Sequence, residues 1–171
     1  MLVVFLYFVW HERGKSEKLL LNILPKKIAK RLKKKEKYIA DKFSEASVVF
    51  IDQVDFTQFS RGADPERIVE VLNKIYTIFD KIAAKHGLEK IKTIGDCYMA
   101  ASGIPETRAD RAEAALNFSI EAMKALKDYD TGDGTLLNFR CGLDCGPVVA
   151  GVIGEKKFIY DLWGDTVNTA S

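Results

Sequence analysis

In EKIKTIGDCYMAASG, residues 89–103, two short apolar and β-branched runs flank a Gly95-Asp96 pair. That pair is a tight-turn signal, so residues 88–93 and 97–102 are expected to form a β-hairpin. Helical patterns lie on both sides of it. Upstream, over residues 64–86, Asp64 can cap and Pro65 can occupy the first turn. Ile68, Val71, Leu72, Ile75, Ile78, Phe79 and Ile82 then recur on one face, and His86-Gly87 ends the pattern. Downstream, residues 108–127 place Ala112, Ala115, Leu116, Ile120, Met123 and Leu126 inward. Outermost are a buried strand at Ala46–Ile51 and, after a Gly/Asp-rich turn at 130–134, a strand at 136–144. Gly146-Pro147 is expected to start a further apolar segment running to about Ile153. The order β-α-β-β-α-β is the ferredoxin-like split βαβ arrangement, an α+β fold.

Composition narrows the classes. The 171 residues are 47% apolar and 29% charged with a net charge of +2, which excludes intrinsic disorder. Three cysteines are too few, and an odd number, for a disulfide framework. The net charge hides an asymmetry: residues 1–43 hold 12 Lys/Arg against 4 Asp/Glu, and the rest is mildly acidic. An acidic body argues against a nucleic-acid partner, whereas a basic neck suits anionic lipid.

The first ten residues, MLVVFLYFVW, carry no charge. A span needs about 20 apolar residues, so ten do not cross a bilayer. A signal peptide would need a basic region before them and a small-residue cleavage site after them. Residues 1–10 are therefore read as the end of a transmembrane helix, with Trp10 at the interface and the basic flank on the cytoplasmic side of the cell membrane; a buried N-terminal strand is the alternative. Residues 11–43 form a basic linker. Leu20, Ile23, Leu24, Ile28 and Leu32 share a helical face, kinked at Pro25. That stripe is expected to pair with its copy in a dimer, or else to be a solvated amphipathic helix.

Two carboxylates stand out. Asp52 closes the first strand and Asp96 sits in the hairpin turn. The first and third strands of a split βαβ sheet are central neighbours, so the two can meet at one sheet edge. Two hard oxygen ligands without nearby histidine or thiolate suit Mg²⁺ or Mn²⁺; the plain alternative is a pair of ordinary turn and cap aspartates. Between Asp52 and Arg61, DQVDFTQFSR could present backbone N–H groups to a phosphate chain. Cys141 and Cys145, four apart on one strand, are expected to be buried as small apolar residues. His11 and His86 read as flank and helix-end residues.

These stretches together resemble the class III nucleotide cyclases. VVFIDQVDFTQFS is similar to the family's opening motif, EKIKTIGDCYMAASG to its hairpin motif, and CGLDCGPVVAGVIG with YDLWGDTVNTAS to its final motifs. The resemblance covers residues 44–171 in family order, and LLLNILPKKIAKRLK resembles the linker of membrane-attached members.

The resemblance implies an adenylate cyclase that converts ATP to cyclic AMP with Mg²⁺ or Mn²⁺, two ions per site. It implies Asp52, Asp96 and the Gln53 carbonyl as metal ligands, and Val54, Asp55, Phe56 and Thr57 as the triphosphate turn. Lys92 and Asp161 match the residues that read the purine, and Asn168 matches the asparagine that orients the ribose. Guanylate-selective members carry Glu and Cys where this chain has Lys92 and Asp161; guanylate cyclase, or a silent nucleotide-binding module, is the alternative. The family builds each site across a homodimer. Gln53 and Asp55 depart from a pattern of branched apolar residue and glycine. The family arginine that follows the Ala-Ser pair lies beyond Ser171, so the chain is expected to be incomplete at its C-terminal end and, alone, to have little or no activity.

Overall fold

The computed structural model describes residues 10, 11, 14, 17, 19–36, 38–132, 134–154 and 157–171. In chain order its elements are α1 (Lys26–Lys33), β1 (Ile39–Gln53), α2 (Phe56–Gly62), α3 (Pro65–His86), β2 (Glu89–Ile94), β3 (Cys97–Ser102), α4 (Arg111–Ala125), β4 (Tyr129–Asp130), β5 (Leu136–Leu137), β6 (Phe139–Ile153), β7 (Ile159–Trp163) and α5 (Asp165–Ala170). Five strands pair antiparallel in the order β2-β3-β1-β6-β7, and β4 and β5 form a separate two-stranded ribbon. The split βαβ core is therefore β1-α3-β2-β3-α4-β6, with β1 and β3 adjacent at its centre.

Alternation along β1 divides the core in two. Val49 and Ile51, with Tyr98 and Ala100 of β3, face α3 and α4, where Phe79 and Phe118 are fully buried. Burying each such ring stabilises the fold by about 1.5–3 kcal/mol. Val48 and Phe50, with Met99 and Ala101, face the other way. Helix α3 starts and stops as its sequence dictates. Asp64 accepts a hydrogen bond from the Glu66 N–H, Pro65 follows, and Gly87 closes the helix at φ 69°, a left-handed conformation that favours glycine.

Three expectations change. Most of the linker stripe is occupied within the chain: Leu24 and Ile28 are buried on the second face of the sheet with Leu20 and Leu32 packed beside them, so Leu24 and Ile28 are not free to pair with a second copy's helix, whereas Ile23 leaves the stripe and is exposed. Gly146-Pro147 starts no new element but lies inside β6. Pro147 sits opposite the bulge where β1 shifts register between Phe43 and Ala46, a place where the ladder can spare the N–H that proline lacks. That long partner also carries β1 back to Ile39, well before its apolar run. Neither cysteine is fully buried: Cys141 is half-buried and Cys145 is exposed, with its Sγ 3.1 Å from the Ser47 hydroxyl. Residues 1–9 lie outside the described residues, and so does nearly all of the expected membrane segment. Among the described residues no helix is long and apolar enough to cross a membrane.

Candidate active site

The two acidic residues meet where β1 ends. Asp52 is the penultimate residue of β1, and Asp96 occupies the β2–β3 turn, where Gly95 supplies φ 61°. The Tyr76 hydroxyl of α3 donates to the Gly95 carbonyl at 2.7 Å and fixes that turn. Arg140 stands opposite Asp52 in the β1–β6 register, its Nη2 and Nε donating to Oδ2 at 2.5 and 2.9 Å. Burial holds the Asp96 carboxyl above the usual carboxylate range. The Asp52 carboxylate adds to this, while Asp96's own backbone N–H and the Arg140 guanidinium oppose it. Burial first, then the same two carboxylates, push the neighbouring Cys97 thiol up to about 11, so it stays protonated at neutral pH.

The donor set fits a hard divalent cation. Asp52 and Asp96 are paired carboxylates with a guanidinium already drawn to one of them. Among the described residues no third His, Cys, Asp or Glu completes a cage, which leaves coordination for water and phosphate, as Mg²⁺ prefers. Gln53 can contribute only its main-chain carbonyl. Its side chain is 3% exposed and shares the helix-facing side with Phe139, its partner on β6, and neither amide atom has a partner.

Beyond Gln53 the chain turns sharply. The Val54 N–H donates to the Asn138 carbonyl, and Asp55 takes φ 58° before α2 starts at Phe56. That left-handed conformation is where glycine is at ease and aspartate is tolerated, so Asp55 can stand where the resemblance implies a glycine. As at any helix start, the N–H groups of Phe56 and Thr57 point out of the helix end.

The second cluster joins opposite edges of the sheet. Lys92 Nζ lies 2.5 Å from Asp161 Oδ2, and Asp161 Oδ1 accepts the Leu162 N–H at 2.9 Å. In a flat sheet β2 and β7 would stand about 19 Å apart, four strand spacings, so the sheet curls to bring its edges together. A bulge at Ile91 sorts the neighbouring lysines. Lys90, paired with Ala100, lies over the Tyr98 ring at 5.2 Å and reaches Asp80 of α3, while Lys92, paired with Met99, faces the other side.

Asn168 is exposed on α5, which docks at backbone distance on β6. A Cβ on Gly142 would collide with the Ala170 carbonyl, and the Thr166 hydroxyl donates to the Pro147 carbonyl at 2.9 Å. A cleft of about 450 Å³ between these elements is lined by Asp52, Ile94, Cys97, Arg140, Gly142 and Ala170. Asp52 and Asp96 thus come together, as do Lys92 and Asp161, while the hydrogen bonds of Lys92 go to Asp161 and not to the carboxylate pair. Arg140 and Tyr76 were not legible as site residues. Only strand register assigns Arg140, and only the packing of α3 on the hairpin assigns Tyr76.

Residues 38–171 match the family model described as the adenylate and guanylate cyclase catalytic domain. The chain belongs to this family. An adenylate cyclase of Mycobacterium tuberculosis is 45% identical over 161 residues, covering 94% of this chain and 36% of the relative. Guanylate cyclase soluble subunit beta-2 of Homo sapiens is 38% identical over 161 residues, covering 94% and 26%. The chain therefore spans about a third of the length of such cyclases, or less. Among solved structures, the catalytic core of a rhodopsin-guanylyl cyclase with converted specificity, in complex with ATPalphaS, superposes with a TM-score of 0.73 at 40% identity over 77% of this chain and 71% of that one. The adenylyl cyclase CyaB from P. aeruginosa superposes with a TM-score of 0.71 at 29% identity, over 77% and 70%. Cyclases of both base specificities thus stand close to this chain.

Proposed function

We propose that this cyclase domain is an adenylate cyclase, forming 3′,5′-cyclic AMP and pyrophosphate from ATP in cyclic-nucleotide signalling. The Lys92–Asp161 pair carries that choice. Adenine presents an acceptor at N1 and an amino donor at N6; Lys92 donates to the first and Asp161 accepts from the second. Guanine presents the reverse, an N1–H donor and an O6 acceptor, and leaves both side chains mismatched. The similarity of the human guanylate cyclase subunit supports GTP as the second reading.

In the reaction the ribose 3′-hydroxyl releases its proton to solvent, its oxygen bonds to the α-phosphorus, the bond from that phosphorus to the bridging oxygen breaks and pyrophosphate leaves. Asp52, Asp96 and the Gln53 carbonyl would hold Mg²⁺ or Mn²⁺, two ions per site, which lower the charge barrier when bound. Arg140 and the N–H groups of Phe56 and Thr57, beside Val54 and Asp55, take up triphosphate charge. Lys92 and Asp161 fix the base and Asn168 the ribose, so the chain acts mainly by positioning and electrostatics. Two copies build each site between them, one giving the carboxylates and its partner the base- and ribose-binding residues. The uncharged N-terminal stretch attaches the protein to the cell membrane, with the catalytic domain on the cytoplasmic side.

Parallel assays of the full-length protein with ATP and GTP test the reading. Preference for ATP by about 10²-fold or more in kcat/KM is expected. Equal rates would refute the base assignment, and tight binding of both nucleotides without turnover would refute the enzyme.

A further inference from the structure

The packing of α1 leaves one of its faces without a role in the fold. Ile28 and Ala29 are buried on the sheet, with Leu32 packed beside them. Lys26, Lys30, Lys33 and Lys34 then fall within an arc of about 100° on the opposite side. All four are exposed. Over residues 26–36 the chain holds seven basic side chains against one acid, Glu36. The nearby acids do not neutralise this face. Glu36 and Asp41 both turn onto Arg31, and Glu106 turns onto Lys27. Among the described residues only Glu17 enters the face, pairing with Lys33, and Lys26, Lys30 and Lys34 make no ion pair. Exposed apolar side chains flank the lysines: Leu19, Ile23 and Tyr38 are 65%, 69% and 80% exposed.

Fixed cations beside solvent-exposed aliphatic and aromatic groups make the pattern of a helix lying in a membrane interface. An acidic soluble partner would match the charge but not the uncharged stretch that precedes it in the sequence, MLVVFLYFVW. A lipid surface matches both. We propose that the outward face of α1 docks on anionic lipid headgroups and lays the catalytic sheet, to which α1 is packed, against a negatively charged membrane. The proposal does not depend on which nucleotide the enzyme uses.

The test is partition of the whole chain between buffer and vesicles of phosphatidylcholine alone or with about 30% phosphatidylserine, at about 0.1 M salt. The N-terminal stretch binds both vesicles alike, so the ratio of the two partition coefficients reports the lysines. At about 1 kcal/mol per surface lysine, each contributes up to about fivefold, and a ratio of about tenfold or more is expected, falling steeply at about 0.5 M salt. Lys26→Gln, Lys30→Gln and Lys34→Gln together should cut the ratio by about fivefold or more. The charge-matched triple Lys81→Gln on α3, Lys124→Gln on α4 and Lys127→Gln in the turn after α4, all on the opposite sheet face, should leave it intact. Equal partition into both vesicles, or equal loss in both triples, would overturn the proposal. So would displacement from vesicles by an oligonucleotide at lower concentration than by free anionic lipid, which would make the face a nucleic-acid site. Activity is not read, so failure here leaves the cyclase assignment standing, and failure of the nucleotide assays leaves this one standing.

Discussion

Asp52 and Asp96 meet as like charges, whereas Lys92 and Asp161 meet as opposite ones. The first cluster is uncomfortable when empty. Burial and mutual repulsion lift Asp96, and Arg140 relieves only part of the cost. Any cation that enters relieves the remainder, so the cluster gains affinity from its own strain. The second cluster is content when empty, because each side chain already has the partner it needs. A base must replace that ion pair with hydrogen bonds of the same polarity, so the pair contributes selectivity more than affinity.

Four experiments bear on this contrast. Asp96→Asn should have the largest effect, a fall in kcat of about 10³-fold or more. In metal-free buffer the same variant should melt a few degrees higher, because the repulsion is gone. A lower melting point without metal would break the comparison. Lys92→Gln should reduce kcat/KM for ATP by about 10²-fold and erode the preference over GTP while leaving the metal-dependent rise in melting temperature intact. Loss of that rise would mean that the two clusters are one. Tyr76→Phe frees the turn that carries Asp96; kcat should fall by about fivefold with the ATP-to-GTP ratio unchanged.

The smallest effect belongs to Glu89, at the start of β2, a carboxyl that burial alone pushes up to about 6. Its folded value lies above its ordinary one, so its charged form is disfavoured in the fold. Stability is therefore lost as pH rises from about 4.5 through about 6. Glu89→Gln should remove that slope and add about 1 kcal/mol at pH 8, read by denaturant unfolding, with no change in metal or base dependence. An unchanged slope would show that burial alone does not lift a carboxyl here, and would weaken the account of Asp96.

Much of the fold was legible because its signals are local. The stripe of α3, its Asp64-Pro65 start and its His86-Gly87 end all lie within hydrogen-bonding range along the chain, and the Gly95-Asp96 turn specifies its own hairpin. Where the structure departs from the local pattern, the deciding partner is distant in sequence. The linker stripe looked ready for a second helix because nothing in residues 20–32 reveals the sheet face that takes it. Proline at 147 looked like a break because its tolerance depends on a bulge in β1. Cys145 shares a strand face with Cys141, yet periodicity cannot say where the cover over that face stops.

The amino-acid sequence by itself determined the order of strands and helices, the hairpin that holds Asp96, and the presence of both residue sets that a cyclase needs. Only the tertiary structure decided that Arg140 would lie on Asp52, 88 residues away, and that Lys92 would reach Asp161 across 69. The first depends on β1–β6 register and the second on the curl of a five-stranded sheet. Backbone preference and apolar periodicity act over a few residues, whereas register and curvature are set by the packing of the whole core.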